Sequence, residues 1–165
     1  FADSVIEWHH DRHNLISASS CQGCRDPGPP VSRPLAAKVH RAMLGWAEAT
    51  LSMLSDDQVP RSVPAEVQVM CLADIALVGV PGELFVDLGL AIKRGSGAAQ
   101  VFVCGYANDD IGYIPTRQAY SQGGYETDEA FMYYGYPAAL APQAGEQLVE
   151  TAVGLIKNCM TRRPL

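Results

Sequence analysis

Ile75-Ala-Leu-Val-Gly-Val80-Pro-Gly-Glu83, followed by Val101-Phe-Val-Cys104-Gly-Tyr106-Ala-Asn108-Asp-Asp-Ile-Gly-Tyr113-Ile-Pro-Thr116, decides the fold. Each stretch opens as a continuous apolar run of strand length and breaks at turn-forming residues that carry polar side chains. Unbroken apolar runs are the mark of strands covered on both faces. Open α/β sheets place their chemistry where such strands end. Between the two runs, Leu84, Phe85, Leu88 and Ile92 trace a helical stripe over Glu83 to Lys93, which stops at Gly95-Ser-Gly97.

Upstream, Glu66 to Leu72 alternates, with Val67, Val69 and Cys71 on one face and Gln68, Met70 and Leu72 on the other. Ala73-Asp74 is a tight-turn candidate, so the local order is strand, strand, helix, strand. Ser32 and Pro34 suit the start of a helix over Arg33 to Leu54. Its stripe of Leu35, Val39, Ala42, Met43, Trp46, Ala49 and Met53 reads as a face packed on a sheet. A last helix over Gln143 to Asn158 buries Leu148, Ala152, Leu155, Ile156 and Cys159. The expected fold class is α/β, a mixed sheet flanked by helices. Residues 1–32, punctuated by Asp26-Pro-Gly-Pro-Pro30, read as an irregular segment, and 33–165 as the α/β domain.

The 165 residues are 48% hydrophobic and 18% charged, which gives room for one domain with a real core. Twelve Lys and Arg against eighteen Asp and Glu leave a net charge of −6, with no basic stripe, so nucleic acid is not an expected partner. No apolar stretch approaches the roughly 20 residues of a membrane span. The opening Phe1-Ala-Asp-Ser-Val-Ile-Glu-Trp8 lacks the charged start and apolar middle of a secretion signal, and reads as a fragment or mature form.

Cys71, Cys104 and Cys159 lie in apolar segments and read as small core residues. Cys21-Gln-Gly-Cys24 has the spacing of a metal or redox pair but lacks a second pair, which leaves a loop with incidental thiols as the other reading. His9, His10 and His13 form a cluster that is either solvated or a source of zinc ligands.

All seven tyrosines, from Tyr106 to Tyr136, fall in one third of the chain, where they supply flat apolar area with polar tips. Glu83 after Pro-Gly at a helix start is favoured by the helix dipole, a structural role sufficient in itself. Asn108, Asp109, Asp110 and Tyr113 hang from the neighbouring strand end, so Glu83 and Tyr113 are expected to converge. A carboxylate beside a phenolic oxygen suits a hard or borderline cation such as zinc.

Pro81-Gly-Glu83, Gly105-Tyr-Ala-Asn108, Gly112-Tyr113-Ile-Pro-Thr116-Arg-Gln-Ala-Tyr120 and Gly124-Tyr125-Glu126 together resemble the neutral/alkaline, non-lysosomal ceramidase family. The likeness runs over Ala65 to Glu126 and more loosely through Tyr133-Tyr-Gly135 and Ala141-Pro-Gln-Ala-Gly-Glu146, in the manner of its bacterial branch. It implies the C-terminal part of a larger α/β catalytic domain, a zinc-dependent amidohydrolase that cleaves the N-acyl amide of ceramide. Glu83 and Tyr113 would then be zinc ligands, and Tyr125 a catalytic residue that helps place the substrate amide. It also implies a lipid amide substrate and a secreted, periplasmic or membrane-associated location.

The chain departs from that pattern at several points. Asp110 stands where the family has a further tyrosine, and Pro115-Thr116 replaces a Thr pair. Val5 occupies the place of an upstream histidine ligand, and Gly28 that of the serine nucleophile. The competing expectation is a catalytically inert or truncated α/β module that binds a ligand or partner through a tyrosine-rich groove. Without an upstream half, an exposed sheet edge or apolar face invites homo-oligomerisation.

Overall fold

A computed structural model of the protein describes residues 2–7, 33–56 and 58–161. Its central sheet is mixed. It contains β1 (Ala2–Glu7), β2 (Ser62–Leu72), β3 (Ile75–Gly79) and β5 (Gln100–Cys104) in the order β1-β2-β3-β5. The first two pairings are antiparallel, and β3 runs parallel to β5. Parallel neighbours need a crossover. It passes through a second, minimal sheet strand, β4 (Glu83–Leu84), and helix α2 (Val86–Ser96).

The alternation in β2 settles which face is covered. Val63, Ala65 and Val67 point inward, as do Ala76 and Val78 of β3. They meet Leu88 and Ile92 of α2 and Leu148, Ala152 and Ile156 of α6 (Ala144–Thr161) in one core cluster. Full burial of side chains such as Ile92, Leu148 and Ile156 stabilises the fold by about 1.5–3 kcal/mol each. The opposite face carries Met70, Leu77 and Phe102 as successive cross-strand partners, and all three are exposed among the described residues.

Several expectations are corrected. Residues 2–7, read as irregular, form β1 against β2; a short mixed segment such as Ala-Asp-Ser-Val-Ile-Glu has no clear period and takes its order from its partner's edge. The helix expected from Glu83 begins at Val86, so the carboxylate lies in β4 and the helix dipole does not account for it. Helix α1 (Arg33–Ser55) packs on the short α5 (Ala130–Tyr133) instead of on the sheet, with Ala42 and Ala49 exposed. Its Trp46 ring meets Phe131 edge-on at 5.9 Å, and its Nε1 donates to the Tyr136 carbonyl at 2.7 Å.

Cys71 and Cys159 are not merely small core residues. They form a disulfide that ties β2 to α6, with Cα atoms 6.3 Å apart. Cys104 is a free, exposed thiol. The tyrosine-rich region also holds helices α3 (Arg117–Gln122) and α4 (Tyr125–Asp128), and α3 is capped by the Thr116 hydroxyl, which accepts from the Ala119 amide. The histidine cluster, the Cys21/Cys24 pair and Gly28 lie outside the described residues. Among those described, no helix is long and apolar enough to cross a membrane.

Candidate functional site

The site forms because the two apolar runs continue past the sheet as hydrogen-bonded partners. After β3, the Val80 amide donates to the Cys104 carbonyl and the Ala107 amide returns to the Val80 carbonyl, at 2.9 and 3.0 Å. Tyr106 N then donates to Gly82 O at 3.1 Å and Ile111 N to Pro81 O at 2.9 Å. Glu83 N donates to Gly112 O at 2.9 Å, and Phe85 N to Ile114 O at 3.1 Å. This lacing makes β4 and β6 (Tyr113–Ile114) a parallel two-residue ribbon in which Glu83 is the register partner of Tyr113. The expected convergence of these two residues is present in the fold.

Two glycines permit the close approach. A Cβ on Gly82 would stand 2.5 Å from the Gly112 carbonyl oxygen. Gly112 itself adopts φ +87° with the Tyr134 ring against it, where a Cβ would meet Cδ2 at 2.8 Å. Any other residue there would meet both the left-handed backbone and the ring.

Around Glu83 the polar partners are phenols. The Tyr134 hydroxyl donates to Glu83 Oε1 at 2.5 Å, and the Tyr106 and Tyr113 phenols stand near the carboxylate. Burial works against the charge, yet the Tyr134 bond and the neighbouring Tyr106 and Tyr113 phenols outweigh it and hold the Glu83 pKa below its ordinary value. The phenols shift the other way. The Glu83 carboxylate pushes Tyr106 up to about 12 and raises Tyr113, and its bond with Tyr134 raises that phenol as well. At neutral pH the site is therefore one carboxylate anion ringed by neutral O–H donors.

Tyr125 stands one shell further out. Its ring meets Tyr113 edge-on and Tyr133 at a tilt, with centroids 6.0 Å apart in each case. Burial, then the charges of nearby tyrosine and carboxylate groups, raise its pKa. The remaining polar residues of the loop turn elsewhere. Asn108 Nδ2 donates to Gln68 Oε1 at 3.3 Å, Asp109 accepts from the Asp110 amide, and Asp110 accepts from the Gly112 amide.

Glu83, Tyr106 and Tyr113 open onto a cleft of about 520 Å³ whose walls include Phe85, Leu90 and Val103. The arrangement offers a fixed anionic oxygen, phenolic donors and an apolar trough. Among the described residues no group of three or more His, Cys, Asp and Glu side chains gathers to hold a metal ion. The donor set fits oxygen ligation of a borderline cation, and by itself it does not complete a four-ligand shell.

Sequence reasoning missed Tyr134 as the partner of Glu83 and Tyr106 as its neighbour in the cleft. The position of Tyr106, just beyond a strand end, was the available clue; its backbone is left-handed, at φ 53°, an uncommon state for a residue with a Cβ. Tyr134 gives no such clue, because only the packing of α5 brings it to the site.

No family model matches the sequence, and no curated protein matches it. Among solved structures the chain is similar to neutral ceramidase from Pseudomonas aeruginosa, with 24% identity over 66% of this chain and 17% of that one, at a TM-score of 0.49. A ceramidase complexed with C2 gives 24% identity over 65% of this chain and 16% of the other, also at 0.49. The chain spans about a sixth of the length of either neighbour.

Proposed function

We propose that this chain supplies Glu83 and Tyr113 as zinc ligands, and Tyr125 as a substrate-facing phenol, to an amide hydrolase that cleaves a ceramide-like lipid amide into a fatty acid and an amine. The observation that carries the reading is the pairing of Glu83 with Tyr113 in β4 and β6, with Tyr125 packed on Tyr113. Support comes from the combined motifs around these residues, which resemble the ceramidase family. The further ligands come from outside the described residues.

Bound zinc would polarise the amide carbonyl and lower the pKa of an attacking oxygen. The residues of this chain act around that step. Glu83, already ionised, provides the anionic anchor, and the ribbon register holds Tyr113 beside it. Tyr125, neutral with a raised pKa, donates its O–H to the carbonyl oxygen as negative charge develops there. The cleft walls at Phe85, Leu90 and Val103 receive hydrocarbon and exclude water. Water is added across the C–N bond, its oxygen to the acyl carbon and a proton to the leaving nitrogen.

The test is zinc per chain by elemental analysis, with wild type beside Glu83→Gln, followed by release of fatty acid from an N-acylsphingosine. Zinc that is lost in the variant, together with hydrolysis, supports the proposal. Zinc absent from both favours the second reading, an inert module that binds through its tyrosine-rich groove. That reading has its own observation, since Tyr106 and Tyr113 line the cleft beside Phe85 and Leu90.

A further inference from the structure

We infer that Tyr134 is a positioning residue for this carboxylate, fixing the orientation in which Glu83 presents its free oxygen to a cation; the inference rests on the function proposed above. Three observations carry it. The Tyr134 hydroxyl donates to Glu83 Oε1 at 2.5 Å. Its ring lies against Gly112, whose carbonyl accepts from the Glu83 amide at 2.9 Å. One side chain therefore braces both the carboxylate and the loop that holds its backbone.

The third observation is the direction of approach. Glu83, Tyr106 and Tyr113 line the main cleft and Tyr134 does not; Tyr134 lines a small hollow with Ile111, Phe131 and Leu140, and the Tyr113 side chain borders both. Tyr134 thus reaches Glu83 from the protein side and does not occupy the space a ligand would enter. A carboxylate has about four acceptor positions over its two oxygens, so a single interior donor leaves the outward ones available. Hydrogen bonds of this kind behind a metal-binding carboxylate orient it and tune its affinity.

The brace is itself anchored. Tyr134 follows directly on α5, whose Phe131 packs edge-on against Trp46 of α1, and the Trp46 indole holds the Tyr136 carbonyl. This gives α1, whose main packing partner is α5, a route to the site through contacts.

The test is zinc affinity of the full chain, titrated to millimolar metal against a chromophoric chelator, for wild type, Tyr134→Phe and Leu148→Ala. The phenylalanine keeps the ring on Gly112 and removes only the donor. Leu148→Ala is a core truncation away from the site and reports what general destabilisation does. The expected result is a tenfold to hundredfold weaker zinc dissociation constant for Tyr134→Phe, the scale of removing an outer partner of a metal ligand. Folded Leu148→Ala should bind like wild type. Cobalt in place of zinc should show an altered visible spectrum in Tyr134→Phe alone. Wild-type affinity in Tyr134→Phe overturns the inference while leaving the proposed function standing. Equal losses in both variants overturn it as well, since the effect is then merely structural. No zinc binding by wild type overturns the proposed function, and the inference with it.

Discussion

Glu83 and Tyr113 are register partners across β4 and β6, so backbone hydrogen bonds, not side-chain rotamers alone, set the spacing of a carboxylate and a phenol far apart in sequence. The Glu83 charge in turn governs the titration of its neighbours. In the folded protein its pKa lies below the ordinary 4.5, so its stabilising contribution is present above that value and is lost as pH falls through the folded pKa. Tyr106 is raised to about 12, so its contribution is present below the ordinary 10 and is lost as pH rises through about 12. Ultraviolet titration of tyrosinate should show late-ionising phenols in wild type that move toward 10 in Glu83→Gln. Identical alkaline curves would show that Glu83 does not control them.

Tyr125→Phe keeps the ring contacts to Tyr113 and Tyr133 and removes one hydroxyl. If that hydroxyl meets the developing oxyanion, kcat for amide hydrolysis should fall by roughly a hundredfold to a thousandfold, with zinc content unchanged. A fall in zinc content of the same size would move Tyr125 from substrate placement to metal binding.

Gly82→Ala should destabilise the protein by about 1–3 kcal/mol, because the new methyl would stand 2.5 Å from the Gly112 carbonyl and force the ribbon apart. Chemical denaturation gives the stability and zinc titration gives the site. A variant of wild-type stability would mean that the ribbon adjusts freely.

The Cys71–Cys159 disulfide closes a loop with a sequence separation of 88. In the chain-entropy account a loop of that size is worth about 4–5 kcal/mol. Reduction, or the double Ser variant, should lower the denaturant midpoint strongly. An unchanged midpoint after verified reduction would return both residues to the role of small core side chains.

The elements with a period were legible. Alternation in β2 and the stripes of α2 and α6 repeat often enough to fix their faces, and Ile75–Val80 is apolar throughout. The convergence of Glu83 with Tyr113 was legible too, because both follow strand ends that a parallel crossover brings side by side. The ribbon itself was not, since two residues have no period and Glu83 instead looked like the first residue of a helix. A stripe such as that of α1 states that a face is apolar without naming its partner, and α5 proved to be that partner. Cysteines in apolar segments look the same paired or free, which hid the disulfide.

The lacing of 80–85 to 104–114 also bears on which changes of chain length the site tolerates. Its backbone bonds are pinned at Ala107 and again at Ile111, while Asn108, Asp109 and Asp110 between them are exposed. Residues added within 108–110 would bulge into solvent and leave both pins, and hence the Glu83–Tyr113 register, in place. A single residue inserted at Gly112 would shift Tyr113 out of step with Glu83. The short ribbon therefore divides the loop into a length-variable tip and a length-fixed base, and relatives of this chain should differ in the first and agree in the second.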